Sequence, residues 1–179
     1  MTRSGEPVSV VLLHGYDSTP SAMMPVADAI AKRFSRVSIE IPAGPIPVQP
    51  ATGAWFDGER AAEAANLFAA RLHGPAVLIG FSQGAALGLT VAAVTAAEVR
   101  GVASLSGFLP DDVTVAPQCA LFVGHGEDDE VVDAFHARRL IRLATAVGTP
   151  VQQSFADYGH TLPSALEPLL AWLHGILEP

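Results

Sequence analysis

Residues 76–87 leave the chain few ways to fold. Ala76-Val77-Leu78-Ile79 runs into Gly80-Phe81-Ser82-Gln83-Gly84, and the small-residue pattern Ala85-Ala86-Leu87 follows at once. A strand that turns directly into a helix sets the central serine on a tight, strained turn, with its hydroxyl held above the sheet edge. Gly80 and Gly84 are required there because any side chain would collide with the strand or helix alongside. A helix beginning at the serine aims its free N–H groups and its dipole at that spot, favouring negative charge. The same five residues also suit a Gly-rich strand-to-helix turn in which Ser82 is only an N-cap. The rest of the chain has to choose between these readings.

In chain order, Val8 to Leu13 is a near-continuous apolar run, the mark of a strand buried on both faces. His14 to Pro20 is turn-rich, and Ser21 is expected to cap a helix reaching about Phe34. Val37 to Ile41 reads as a second strand. Pro42 to Gly53 holds Pro42, Pro45, Pro47 and Pro50, which predicts an irregular surface loop ending at Trp55-Phe56-Asp57. A helix is predicted from Asp57 to Leu72, then the strand and helix around Ser82, the helix running to about Val99. Further strands are predicted at Val102–Ser106, Gln118–Val123 and Val151–Phe155. A helix spans Val131 to Val147 with Phe135, Leu140, Ile141 and Leu143 inward, and Pro163 opens a closing helix to Leu177. Gly107 to Pro117 is too short and too rich in Pro and Asp for a helix, so one crossover is irregular. Strands alternating with helices predict an α/β fold, a reduced core of about six parallel strands with helices on both faces. At 179 residues the expectation is one domain over residues 1–179.

A formal charge of −8 argues against nucleic acid and against an anionic membrane surface as partners. Cys119 is the only cysteine, so no intrachain disulfide forms, and it reads as a small buried hydrophobe. The first residues carry no signal-peptide pattern, and Ala85 to Ala97 is too short to cross a bilayer. The expectation is a soluble, cytoplasmic protein without integral membrane association.

A serine hydroxyl is a poor nucleophile until a base takes its proton, and the base needs an orienting partner. In a parallel sheet those partners sit beyond the carboxyl ends of later strands. Gly124-His125-Gly126-Glu127-Asp128-Asp129 follows one such strand, and Asp157-Tyr158-Gly159-His160 follows the last. The resulting order, Ser then Asp then His, is that of a hydrolase built on this architecture. His160 is preferred as base over His14, His73, His125, His136 and His174; His125 lies on the turn of the acid and is expected to shape it. Among Asp128, Asp129, Asp133 and Asp157, Asp129 is preferred because it sits just before the apolar pair Val131-Val132, expected to anchor the next helix. An oxyanion site needs two N–H donors. Gln83 supplies one, and the turn after the first strand supplies the other, assigned to Tyr16 with Asp17 as the neighbouring option. The group His125, Glu127 and Asp128 lacks zinc-site spacing, and the chemistry needs neither metal nor organic cofactor.

Taken together, these stretches resemble the phospholipase/carboxylesterase family of α/β hydrolases, which includes acyl-protein thioesterases. Leu12-Leu13-His14-Gly15 is similar to the family's first-strand signature, and the Pro-rich loop before Trp55-Phe56-Asp57 to the loop preceding its Trp-Tyr/Phe-Asp triplet. Gly80 to Gly84, Leu105-Ser106-Gly107-Phe108-Leu109-Pro110, His125 to Val132 and Gly159-His160 resemble its elbow, its Leu-Ser-Gly-aromatic-Leu-Pro run, its acid segment and its base. The resemblance implies a carboxylic ester hydrolase acting on a small-molecule ester, with Ser82, Asp129 and His160 catalytic. It departs from the family at the start, where two N-terminal strands of the full hydrolase fold are lacking, and in the short loop after Tyr16. Little is left to build a long acyl tunnel, so a shallow site lined by Tyr16, Met23, Trp55, Phe56, Phe108 and Leu109 is expected. The same residues suit a thioesterase or lysophospholipase; a binding protein that keeps the fold without turnover is the rival of a different class.

Overall fold

A computed structural model describes residues 8–178; the reading of the extreme N-terminus as free of a leader falls partly outside them. Six strands form one parallel sheet: β1 (Ser9–Leu13), β2 (Ser38–Glu40), β5 (Ala76–Phe81), β6 (Val99–Leu105), β7 (Ala120–Gly126) and β8 (Val151–Ala156), with β3 (Ile46–Gln49) and β4 (Thr52–Ala54) forming a separate hairpin. The spatial order is β2-β1-β5-β6-β7-β8. Every neighbouring pair is parallel, so all six carboxyl ends lie along one edge.

Alternation along the strands splits the core into two faces, because successive side chains point to opposite sides of a sheet. Val11, Leu13, Leu78, Val102, Leu121 and Val123 pack against helices α2 (Ala61–Ala69), α3 (Gln83–Val94) and α4 (Ala134–Ala146). Val10, Leu12, Val77, Ile79, Ala103 and Phe122 pack against α1 (Met24–Arg33) and α5 (Glu167–Leu177). Helix α3 lies deepest: all its residues from Gln83 to Val91 are buried. Its small residues permit that approach. A β-carbon on Gly84 would run into the Leu13 and His14 carbonyls, and one on Gly80 into the backbone of Gly84 and Ala85.

Several boundaries differ from the sequence reading. The Pro-rich stretch is partly regular: β3 and β4 pair antiparallel, Ile46 opposite Ala54, with an irregularity between Pro47 and Gln49. Proline is tolerated in an edge strand where its missing N–H is owed to no partner. The first helix does not start from a Ser21 cap. Residues Pro20–Met23 form a 3₁₀ turn, and the Ser21 hydroxyl pairs with Thr19 Oγ1 at 2.7 Å. Helix α3 stops at Val94, and Val99 already belongs to β6. Helix α4 starts at Ala134, capped by Asp133, whose Oδ1 accepts from the Phe135 N–H at 2.7 Å. Phe135 is exposed rather than inward, and Val131, expected to anchor the helix, is exposed too, while Leu140 is buried as expected and Ile141 and Leu143 pack partly buried against the core. Pro163 lies in a loop; the proline in the first turn of α5 is Pro168. The β6–β7 crossover is irregular, as its composition predicts.

The hairpin does not float. Asp17 accepts from Gln49 Nε2 at 2.6 Å and from the Thr52 hydroxyl, and Ser18 and Gly53 exchange two backbone hydrogen bonds. The hairpin is therefore stapled to the loop after β1, beside the carboxyl edge.

Candidate active site

Ser82 follows β5, Asp129 follows β7 and His160 follows β8, all at the carboxyl edge. Ser82 has φ 54° and ψ −119°, a left-handed backbone that costs a non-glycine residue about 1–3 kcal/mol. The Ser82 N–H donates to the Leu105 carbonyl at 2.9 Å, and the Ala86 N–H donates to the Ser82 carbonyl at 3.1 Å. The hydroxyl makes no capping bond to α3. It lies 3.0 Å from His160 Nε2. The simple N-cap reading of the side chain is set aside.

His160 Nδ1 lies 2.8 Å from Asp129 Oδ2 and 3.1 Å from Oδ1. Because the carboxylate only accepts, Nδ1 carries the proton and Nε2 is free to accept from the Ser82 hydroxyl. Asp129 Oδ1 also accepts from the Val131 and Val132 N–H groups at 3.0 and 2.9 Å. Burial by itself would raise its pKa. The His160 bond and the two backbone donors outweigh that and hold it below the ordinary carboxylate value. The competing carboxylates separate cleanly: Asp128 and Asp157 are exposed, and Asp133 caps α4. Val131 and Val132 matter through their N–H groups rather than as an apolar anchor. His125 is fully buried and donates from Nε2 to the Val132 carbonyl at 2.8 Å, bracing the turn that carries Asp129. Tyr158 lies alongside; burial first, then the Asp129 charge, push its phenol up to about 12.

Gln83 opens α3, so its N–H belongs to the first turn of the helix, which has no intrahelical partner. Tyr16 sits on the turn after β1, its side chain 59% exposed. A β-carbon built on Gly15 would lie 3.5 Å from Ser82 Cβ, so this turn passes directly beside the serine. Among the described residues neither N–H has a hydrogen-bond partner.

Sequence reasoning missed what the Gln83 side chain does. It is buried, its Oε1 accepts from the Trp55 N–H at 2.9 Å, and its Nε2 donates to the Phe56 carbonyl at 2.9 Å. The Trp55 indole in turn donates to the His14 carbonyl at 2.7 Å. The glutamine in the elbow pattern was the available signal, read only for its main chain.

The expected lining residues divide. Met23 is a correction: it has no exposed surface and packs among Val10, Leu12 and Val26 on the α1 face of the sheet, because the 3₁₀ turn points it inward. Trp55 is 2% exposed and serves as a brace, although it also borders a cavity of about 360 Å³ with Ile46, Phe56, Leu67, Phe68 and Leu87. Phe56, Phe108 and Leu109 do share a cavity, of about 370 Å³, with Val131, Val132 and His136. Neither cavity is lined by Ser82 or His160. Cys119 is half-buried against the core, and burial pushes its thiol up to about 11, which keeps it protonated and unreactive. Among the described residues no His, Cys, Asp and Glu group suits a metal ion, and no helix is long and apolar enough to cross a membrane.

The model of a protein family described as Phospholipase/Carboxylesterase matches residues 63–168, more than half of the chain and the stretch holding Ser82, Asp129 and His160. The chain belongs to the phospholipase/carboxylesterase family. No curated protein matches it in sequence. Among solved structures, esterase PE8 is 24% identical and superposes with a TM-score of 0.85, covering 97% of this chain and 95% of that one. A Bacillus cereus carboxylesterase is 17% identical, with a TM-score of 0.77 and coverages of 95% and 89%. Zea mays acyl-protein thioesterase 2 is 22% identical, with a TM-score of 0.74 and coverages of 99% and 96%. At these identities the likeness establishes the α/β-hydrolase fold that phospholipase/carboxylesterase family members share.

Proposed function

We propose that this family member is a serine esterase that hydrolyses small carboxylic esters with short- to medium-chain acyl groups, acting as a single domain. One observation carries the reading: Ser82 Oγ, His160 and Asp129 form an unbroken chain at 3.0 and 2.8 Å, on a serine whose strained turn leaves its hydroxyl uncapped.

In this reading His160 Nε2 takes the Ser82 proton as Oγ bonds to the ester carbonyl carbon, and the carbonyl oxygen becomes an oxyanion. The N–H groups of Gln83 and Tyr16 receive that charge, aided by the amino end of α3. The intermediate collapses with cleavage of the carbon–oxygen bond to the alcohol, and His160 returns the proton to the departing oxygen. The Ser82 acyl ester is then attacked by water, deprotonated by the same imidazole, and the acid leaves. Asp129 holds the imidazole in the Nδ1–H tautomer and supports its charge. Neither metal nor organic cofactor enters any step. That neither cavity is lined by Ser82 supports small esters over long-chain lipids.

A fluorophosphonate probe is expected to label Ser82, located by peptide mass mapping. Ser82→Ala is expected to lower hydrolysis of a short nitrophenyl ester by a factor on the order of 10⁴ or more with a nearly unchanged melting temperature. No adduct on folded wild-type protein would sink the reading. A chain-length series of acyl esters showing a preference for long chains would overturn the short-acyl specificity.

A further inference from the structure

His14 is fully buried, directly precedes the Gly15 turn that passes beside Ser82, and takes no part in the Ser82–His160–Asp129 chain. Its tautomer is fixed by its neighbours. Nε2 lies 3.0 Å from the Gly44 N–H, which can only donate, so Nε2 is the acceptor and Nδ1 carries the proton. That Nδ1–H donates to the Gly15 carbonyl at 2.8 Å. Burial lowers the pKa of His14 despite the Gly15 bond, which keeps the ring in this neutral form.

The consequence follows from peptide geometry. The Gly15 carbonyl and the Tyr16 N–H belong to one planar unit and point to opposite sides of it. Pinning the oxygen therefore fixes the direction of the N–H. On an open turn next to an exposed tyrosine, nothing else among the described residues holds that plane. The neighbouring plane is pinned as well, since the His14 carbonyl accepts from the Trp55 indole at 2.7 Å and the two rings lie against each other, tilted by 39° with centroids 4.9 Å apart. Trp55 is gripped in turn by the Gln83 amide. One buried network, Gln83 to Trp55 to His14 to Gly15, thus spans from the residue offering one oxyanion donor to the peptide offering the other.

We propose that His14 is the positioning residue of the oxyanion site, orienting the Gly15–Tyr16 peptide so that the Tyr16 N–H meets the charge developing beside Ser82, with Trp55 as its support. This rests on the esterase reading above. A core histidine that only fills space predicts loss of stability alone; a positioning residue predicts loss of transition-state stabilisation with ground-state binding intact.

The test compares wild type with His14→Ala, His14→Asn and Trp55→Phe, using a short nitrophenyl ester and a trifluoromethyl ketone that forms a tetrahedral adduct. Losing one oxyanion donor costs about 10²–10³ in kcat, and misaiming one costs less. His14→Ala is expected to lower kcat about 30- to 100-fold with KM within about twofold, and to weaken the ketone by the same factor. Trp55→Phe is expected to follow the same split at about tenfold. His14→Asn is expected to recover part of the loss, because its amide N–H can reach the Gly15 carbonyl as Nδ1–H does. Where His14→Ala does not fold, Trp55→Phe and His14→Asn carry the same comparison. Unchanged kcat and ketone affinity in the folded variants, or a loss confined to KM, overturns the proposal. In that case wild-type protein still hydrolyses ester and is labelled at Ser82, so the esterase reading survives. Wild-type protein that is neither active nor labelled takes both readings down.

Discussion

The two halves of the candidate site are built on different principles. In the half reaching from Ser82 after β5 to the ends of β7 and β8, the proposed chemistry rests on side chains: the Asp129 carboxylate, the His160 imidazole and the Ser82 hydroxyl form a line, each atom identified by residue type. On the β1–β4 side, the groups proposed to matter are main-chain N–H groups, and side chains would act only by holding them. His14, Trp55 and Gln83 are all buried there, and every side-chain polar atom they carry meets backbone. The difference teaches that one half of the site is chemistry and the other is architecture. Substitutions should separate them: Ser82→Ala in the first half is expected to lose activity with little loss of stability, whereas changes in the second half lose both.

Asp129→Asn breaks the comparison hardest. An amide in place of the carboxylate favours the wrong imidazole tautomer, and losses of about 10⁴ in kcat are typical of such a change in a Ser-His-Asp site. Asp128→Asn, on an exposed side chain whose backbone N–H alone is engaged, is expected to stay within about threefold. Measured side by side on one nitrophenyl ester, an inactive Asp128→Asn with an active Asp129→Asn reverses the acid assignment.

Gln83→Met probes the other half. The substitution nearly conserves volume but strands the Trp55 N–H and the Phe56 carbonyl, each costing about 1–3 kcal/mol when buried without a partner. A fall in melting temperature together with a roughly tenfold fall in kcat is expected, since the Gln83 N–H itself remains. Equal stability and activity would show that Trp55-Phe56 is held by packing alone.

This contrast also explains what was legible in the sequence. Ser82, Asp129 and His160 could be read because each is a reactive side chain at the end of a predictable apolar strand, and the order of strands puts them on one edge. The six parallel strands and the irregular β6–β7 crossover were legible for the same reason, through runs of Val, Leu and Ile and a stretch of Pro and Asp. The brace was not. Nothing in the residue type of Gln83 says that its amide will close on two backbone groups 27 and 28 positions away. Met23 was misplaced because a 3₁₀ turn, rather than an α-helix capped by Ser21, sets its direction. Proline count argued against regular structure at 42–53, yet a hairpin on the edge of the fold needs few ladder bonds and is held by Asp17 and Ser18 from outside.

Acid unfolding sharpens the comparison on a finer scale. Both Asp129 and His14 have folded pKa values below their ordinary ones, so the unfolded chain binds more protons and stability rises with pH through each window. The His14 contribution is complete above about pH 6.5 and is lost as pH falls from there toward its lowered folded value. The Asp129 contribution is complete above about pH 4 and is lost only as pH falls through its own depressed value. Urea midpoints measured from pH 8 to 3 are expected to decline in two stages, the first absent in His14→Asn and the second reduced in Asp129→Asn. A single stage that His14→Asn leaves unchanged would contradict the burial of a neutral His14.

The smallest effect is the most pointed. In the proposed oxyanion site Tyr16 acts through its N–H, while its ring is 59% exposed and makes no hydrogen bond among the described residues. Tyr16→Ala keeps the peptide, keeps the Gly15 carbonyl under His14 and removes only a solvated ring. A change in kcat/KM within about threefold is expected, well below the loss from Trp55→Phe, although Trp55 lies farther along the network from the reacting carbonyl. If Tyr16→Ala instead costs more than Trp55→Phe, the ring touches substrate and the turn contributes a surface rather than an N–H. The ratio of these two variants therefore decides whether the β1–β4 half of the site works through its backbone.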